Sequence, residues 1–287
     1  MGPIGLIDGR IVADLSEKLV EMEDRGYQFG DGVYEVTPVF NGRCFGLQRH
    51  MERLFRSLRE MRITVGYSAE DLYGYHERLI QESGIVDAGI YLQITRGFAP
   101  RNHNFPDNAA PRLTMTVRPI PPSLLQYIET GAEAIVVPDL RWLRCDIKSL
   151  NLLGNVFAKE QAKEAGVFEA IQVRDGAVTE GSSTNFFAVK DGVLRTHPLS
   201  NLILQGVTRT IVVDELAPKL GLKVVEEPFG VDFATNADEA FVTGSLCNVT
   251  PITGLDGRPV GDGRIGPVTR QLVEAFTALV GQACPKG

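Results

Sequence analysis

Lys148 stands in Arg141-Trp142-Leu143-Arg144-Cys145-Asp146-Ile147-Lys148-Ser149-Leu150-Asn151, an apolar-interleaved stretch just before a helical segment that opens Leu152-Leu153-Gly154. The pattern predicts a core strand over Trp142–Lys148, and a lysine on such a strand is partly desolvated. Desolvation disfavours the ammonium form and leaves more neutral amine, the nucleophile that condenses with a carbonyl to a Schiff base. Taken alone, such a lysine more often ends a strand and snorkels its amine to water. Other groups extend the chemistry. Gly206-Val207-Thr208 opens a helix, where free backbone N–H groups, the helix dipole and a hydroxyl favour an anion. Arg101-Asn102-His103 lies in a loop from Gly97 to Pro106, where a guanidinium can grip a carboxylate through two hydrogen bonds and an imidazole can add a third. Tyr34 follows Gly30-Asp31-Gly32-Val33, whose glycines permit a close approach of backbone to a ligand.

A Schiff-base lysine, an acidic partner for a pyridine nitrogen, a phosphate cup and a carboxylate grip are what pyridoxal phosphate asks of a protein. Glu180, ahead of Gly181-Ser182-Ser183, is the acidic candidate. Other enzyme classes fare badly. The chain has no G-x-x-x-x-G-K-[ST] and no G-x-S-x-G, and His50, His76, His103 and His197 are too scattered for a metal site or triad. Gly261-Asp262-Gly263-Arg264-Ile265-Gly266 has the form G-x-G-x-x-G, but only a short strand signal precedes it, so it reads as a turn before the last helix.

Four motifs occur in order: Glu23-Asp24-Arg25-Gly26-Tyr27-Gln28-Phe29-Gly30-Asp31-Gly32-Val33-Tyr34-Glu35, the Lys148 stretch, Thr179-Glu180-Gly181-Ser182-Ser183-Thr184-Asn185, and Gly206-Val207-Thr208-Arg209. Together they resemble the fold-type IV pyridoxal-phosphate enzymes, most closely the D-amino-acid aminotransferases, from about Ile7 to the C-terminal helix. The resemblance implies a homodimer that transaminates D-amino acids with a 2-oxo acid, either 2-oxoglutarate or pyruvate. It implies Lys148 as the Schiff-base residue and proton carrier, Glu180 against the pyridine nitrogen, and Ser183 near the ring. It assigns the phosphate to Arg53, in the context His50-x-x-Arg53, and to Val207, Thr208 and Ser245. At Thr243-Gly244-Ser245 the chain departs from a more hydroxyl-rich family stretch, which puts the contact at Gly244 in question. Tyr34, Arg101 and His103 are the implied substrate contacts, with the Arg-x-His loop reaching the active site of the other subunit. A branched-chain L-aminotransferase or an aminodeoxychorismate lyase on the same scaffold would share Lys148 and Glu180 but hold the carboxylate differently, so Arg101 and His103 discriminate.

The elements that must position these residues are legible as patterns. Two-residue turns at Asp8-Gly9, Asn41-Gly42 and Asp191-Gly192 predict hairpins, with Pro38 marking its strand as an edge or an interruption. Leu47, Met51, Leu54, Leu58 and Met61 fall at helical spacing, and Ser68 with Asp71 predicts a capped helix ending at Gly84. Pro119-Ile120-Pro121-Pro122 is the strongest break. The reading is therefore a two-domain α+β chain: a small α/β domain over 1–118, a linker over 119–131, and a larger cofactor-binding domain over 132–287 with a curved, barrel-like sheet. Helices are predicted at Asn151–Ala165, Val207–Leu220 and Pro267–Val280.

At 287 residues with a formal charge of −7, the chain carries no basic stripe, which argues against nucleic acid. Its four cysteines are widely spaced without metal-ligand pattern, which predicts reduced thiols, no metal and a cytoplasmic setting. No window approaches the roughly 20 apolar residues of a membrane span, and the first residues lack a basic region ahead of an apolar one.

Overall fold

The computed structural model describes residues 2–286. The N-terminal turns form as their residues require: Asp8 and Gly9 take φ of 44° and 84°, Asn41 and Gly42 of 51° and 73°. They close the hairpins β1 (Ile4–Ile7) with β2 (Arg10–Val12) and β3 (Gly32–Phe40) with β4 (Arg43–Cys44). With β5 (Ala88–Thr95) and β6 (Arg112–Pro119) these make an antiparallel six-stranded sheet in the order β2-β1-β6-β5-β3-β4. β3 runs unbroken through Pro38. The Pro38 carbonyl accepts Phe45 N at 2.9 Å, so the missing N–H would also point away from β5, where β4 pairs only Val39 and Phe40.

A short helix, α1 (Arg25–Phe29), precedes β3, capped by Asp24 and ended by left-handed Gly30. α2 (Leu47–Glu60) and α3 (Ala69–Ser83) cover the sheet, and Ser68 and Asp71 form the expected capping box. Leu54, Leu58, Leu72 and Leu79 are buried with Ile90, Leu92, Leu113 and Val117, alternate residues of β5 and β6. Each such leucine contributes roughly 2 kcal/mol by burial.

The remaining strands are β7 (Ala132–Pro138), β8 (Glu169–Arg174), β9 (Ala177–Gly181), β10 (Asn185–Lys190), β11 (Val193–Thr196), β12 (Lys223–Glu226), β13 (Glu239–Gly244), β14 (Asn248–Leu255) and β15 (Arg258–Pro259). They form a nine-stranded sheet in the order β12-β11-β10-β13-β14-β7-β8-β9, with β15 on β14. Its core holds Phe186, Val242, Ile252 and Ile171. The sheets curl as half-barrels, and the chain is a mixed helix and sheet fold. The helices here are α4 (Pro122–Thr130), α5 (Leu153–Glu164), α6 (Val207–Ile211), α7 (Ala217–Lys219), α8 (Val231–Thr235) and α9 (Pro267–Ala283). Gly261–Gly266 is a turn ahead of α9. No helix of the described residues is long and apolar enough to cross a membrane.

Three expectations about local structure need correction. Trp142–Lys148 is not a strand: it is irregular, held by side-chain and single backbone bonds such as Cys145 N to Asn201 O at 2.8 Å. Within 119–131 the chain forms α4, because Pro122 sits in its first turn, where a missing N–H removes no intrahelical bond. Val207–Leu220 is interrupted by a π-helical turn over Val212–Leu216, just before Pro218, which cannot donate to the turn behind it. The chain clusters into two compact units, each made of more than one segment. One is Met1–Ile120 with Ile147–Leu152 and Val280–Gly287; the other is Pro121–Asp146 with Leu153–Leu279. Backbone bonds from Tyr34 N to Lys148 O and from Leu150 N to Gly32 O, both 3.0 Å, count the Lys148 segment with the first unit.

Candidate active site

In the first unit, β3 presents its residues alternately. Val33, Glu35, Thr37 and Val39 are buried, while Tyr34 and Val36 are half-buried on the opposite face. Lys148 pairs beside this strand at one point, through an antiparallel bridge between Val33 and Ser149, and its own N–H lies 3.3 Å from Ser57 Oγ. The half-buried Lys148 side chain places Nζ 4.2 Å from the centroid of the Tyr34 ring. Tyr34 in turn stacks on Tyr91 at 5.4 Å.

Arg53 is not a solvated helix charge. It is 9% exposed, and Glu35, fully buried, accepts from its Nε at 2.7 Å and its Nη2 at 2.8 Å. His50 Nδ1 lies 2.8 Å from the same carboxylate. Burial works against the Glu35 anion, but the charge and hydrogen bonds of Arg53, with His50, outweigh it and hold this carboxyl well below the usual range. Burial pushes the His50 imidazole down, against the pull of Glu35.

Arg101 and His103 are exposed on the loop after β5 and share one support: the Phe29 ring lies 4.6 Å from the Arg101 guanidinium carbon and 5.6 Å from the His103 ring. A cavity of about 470 Å³ in this unit is lined by Tyr27, Tyr91, Gln93, Arg112, Leu150 and Leu152 among others, and touches none of Lys148, Tyr34, Arg53, Arg101 or His103.

In the second unit Glu180 lies on β9 and is 5% exposed. Its Oε1 pairs with Arg141 Nη1, and its Oε2 accepts from Asn185 Nδ2 at 2.8 Å and Leu204 N at 3.0 Å. Every partner is a donor, so the site is built for the anion. Burial raises the Glu180 carboxyl above its ordinary value, with Arg141 pulling the other way. Burial likewise opposes the Arg141 charge, but Glu180 and Asp139 more than offset this. Asp139 braces Arg141 from behind, 2.8 Å from Nη2 and 2.9 Å from Nε, and Arg174 reaches Asp139 at 3.0 Å.

Ser183 belongs to the turn between β9 and β10, which hangs on one buried carboxylate. Glu169 accepts from Ser182 Oγ and from Thr184 Oγ1 at 2.9 Å, with Ser183 Oγ at 3.4 Å. Val207 and Thr208 are buried in the first turn of α6. Ser245 lies half-buried in the turn between β13 and β14. A side-chain carbon at Gly244 would come within 2.8 Å of Cys247 Sγ, so the departure there is matched by a neighbour that fills the space.

The motifs did not reveal Glu35, Arg141, Asp139 or Glu169. Two signals were available: a charge at Glu35 on the apolar face of an alternating strand needs a buried partner, and Arg141 shares the lysine motif.

The groups present fit pyridoxal phosphate. Glu180 Oε1 takes one protein donor and keeps a lone pair for a protonated pyridine nitrogen. Thr243 Oγ1, one residue before Gly244, is buried without a hydrogen-bond partner, which suits a hydroxyl whose acceptor is a bound anion.

The mixed helix and sheet fold with curled half-barrel sheets is that of the fold-type IV aminotransferases. The family model for class IV amino-transferases matches residues 32–255, and the chain belongs to that family, whose cofactor is pyridoxal phosphate. It is similar to the D-alanine aminotransferase of Staphylococcus aureus (strain COL), 46% identical over 274 residues, 96% of each chain. Its fold is similar to the branched-chain amino acid aminotransferase of Escherichia coli, with a TM-score of 0.90 at 26% identity, covering 99% of this chain and 96% of that one. It is also similar to the branched-chain aminotransferase of the thermophilic archaeon Thermoproteus uzoniensis, solved with norvaline, with a TM-score of 0.88 at 30% identity, covering 99% and 96%.

Proposed function

We propose that this aminotransferase works on D-amino acids, passing the amino group to 2-oxoglutarate or pyruvate, as a cytoplasmic homodimer. The observation that carries the reading is the exposed Arg101 and His103 pair set side by side on the Phe29 ring, a ready grip for a carboxylate. The 46% identity with a D-alanine aminotransferase supports it. The four unpaired cysteines suit a reducing compartment.

Bound pyridoxal phosphate supplies a carbonyl for the substrate amine and a ring that accepts the electrons of the Cα–H bond. Lys148 would be its attachment residue, and its amine would carry the proton between the substrate Cα and the cofactor carbon that receives the amino group. The Tyr34 ring face, 4.2 Å from Nζ, stabilises the amine once it carries that proton. Glu180 would hold the protonated pyridine nitrogen, Arg141 pairs with Glu180 and favours its anion, and Ser183 would contact the ring. Arg53, Val207, Thr208 and Ser245 hold the phosphate. Arg101 and His103 anchor the substrate carboxylate, and the side on which it is anchored selects the enantiomer whose Cα–H meets Lys148.

The deciding experiment is a donor screen with both enantiomers of alanine, glutamate and leucine and with a carboxylate-free amine. D-alanine and D-glutamate should be productive, and Arg101→Ala should raise KM for them far more than for the amine. Preference for L-leucine over D-alanine would sink the reading in favour of a branched-chain enzyme. Sedimentation at assay concentration tests the dimer, and an active species of monomer mass would refute it.

A further inference from the structure

The loop from Gly97 to Pro111 has no helix or strand beyond one isolated bridge between Phe98 and Asp24, so backbone bonds hold its base and side chains its tip. Its base is tied by Arg25 N to Gly97 O at 2.9 Å and Ala99 N to Glu23 O at 3.2 Å. Its tip is held by two guanidiniums. Arg25 Nη1 donates to Asn102 O at 2.6 Å, and the Arg96 guanidinium carbon lies 3.8 Å from the Phe105 ring centroid. Both arginines are buried, and both depend on Asp31, itself 7% exposed: Oδ2 accepts from Arg25 Nε and from Arg96 Nε, each at 2.8 Å, and Oδ1 from Arg96 Nη2 at 3.0 Å. Arg96 is fixed further by the Met61 and Arg62 carbonyls at 2.7 and 2.9 Å, at the end of α2.

We propose that Asp31 is a positioning residue for substrate-carboxylate recognition, holding Asn102 and Phe105 through Arg25 and Arg96 and thereby fixing Arg101 and His103, the neighbours of Asn102 on either side. The proposal rests on the reading of Arg101 and His103 given above. The physical reason is charge. Two guanidiniums gathered in a buried place repel unless an anion lies between them, and no neutral isostere supplies one. Asp31 therefore keeps both arginines aimed at the loop, and the Phe29 ring, 4.8 Å from the Arg25 guanidinium carbon and 4.6 Å from that of Arg101, links the clamp to the exposed grip.

The test compares wild type, Asp31→Asn and Phe105→Ala as holoenzymes. Phe105 is 52% exposed, so its variant folds even if Asp31→Asn does not. Amide hydrogen exchange over residues 98–106 should quicken by about fivefold or more in Asp31→Asn, and less but measurably in Phe105→Ala. KM for D-alanine should rise in parallel, while kcat with a carboxylate-free amine and the affinity for pyridoxal phosphate stay as in wild type. Unchanged exchange in both folded variants overturns the proposal. Faster exchange with unchanged KM also overturns it if Arg101→Ala raises that KM; if Arg101→Ala does not, the carboxylate reading itself fails. Equal losses with the amine and with D-alanine would mark Asp31 as structural only and likewise end the proposal.

Discussion

Glu35 Oε1 lies 2.7 Å from Arg53 Nε, with Glu35 fully buried and Arg53 nearly so. The pair ties the strand carrying Tyr34 to the helix carrying the proposed phosphate arginine. Glu35→Ala removes the carboxylate that the buried Arg53 guanidinium pairs with, which should destabilise the fold by about 3–5 kcal/mol in urea unfolding of the apoenzyme. Pyridoxal phosphate should restore more stability to this variant than to wild type, because its phosphate replaces the lost anion at Arg53. An equal thermal shift in both proteins would remove Arg53 from the phosphate site.

Lys148→Ala should retain cofactor binding in solution but lose about 10²–10⁴-fold in kcat, the usual worth of a positioned proton-transfer group. Borohydride reduction of the wild type should fix the cofactor to this lysine, and a peptide map placing the label elsewhere would refute the assignment. Tyr34→Phe keeps the ring face beneath Nζ and should cost kcat less than Tyr34→Ala.

Arg141→Met removes the charge that faces Glu180, leaving a buried carboxylate with neutral donors only. Stability should fall by about 3–5 kcal/mol, and kcat with it, because a protonated Glu180 no longer holds a proton on the pyridine nitrogen. Adding Glu180→Gln should return part of the stability and none of the activity. A double variant no more stable than Arg141→Met would show that the two residues are not energetically coupled.

His76 tests the pH dependence of folding. It is fully buried on α3, and burial pushes its imidazole down to about 4 from 6.5. A base with a depressed folded pKa takes up its proton more readily in the unfolded chain, so stability is complete above pH 6.5 and falls as pH drops from there toward about 4. Between pH 7.5 and 5 the loss from this residue is roughly 2 kcal/mol. His76→Gln should be less stable at pH 7.5 but show a correspondingly smaller drop across that interval in urea unfolding. Parallel curves for the two proteins would contradict the shift.

Local interactions made most of the elements readable in the chain itself. The Asp-Gly and Asn-Gly turns, the Ser68–Asp71 box and the leucine spacing of α2 each act within a few residues, so they are present wherever the sequence is. The family motifs likewise singled out Lys148, Glu180 and the Arg101–His103 loop, because side-chain chemistry is carried by residue identity. Tertiary structure decided what no local pattern encodes: which buried charges meet. Arg53 looks like a solvated helix residue until Glu35, 18 positions earlier, is folded against it. Arg141 and Glu180 are 39 positions apart, and Arg96 and Asp31 are 65 apart. The Lys148 segment looks like a strand from its apolar alternation, yet its hydrogen bonds are scattered over β3, more than 100 residues away in the chain, Ser57 and Asn201, so it stays irregular. A buried ion's partner is selected by burial, which disfavours any charge left alone, and burial exists only once distant segments have packed.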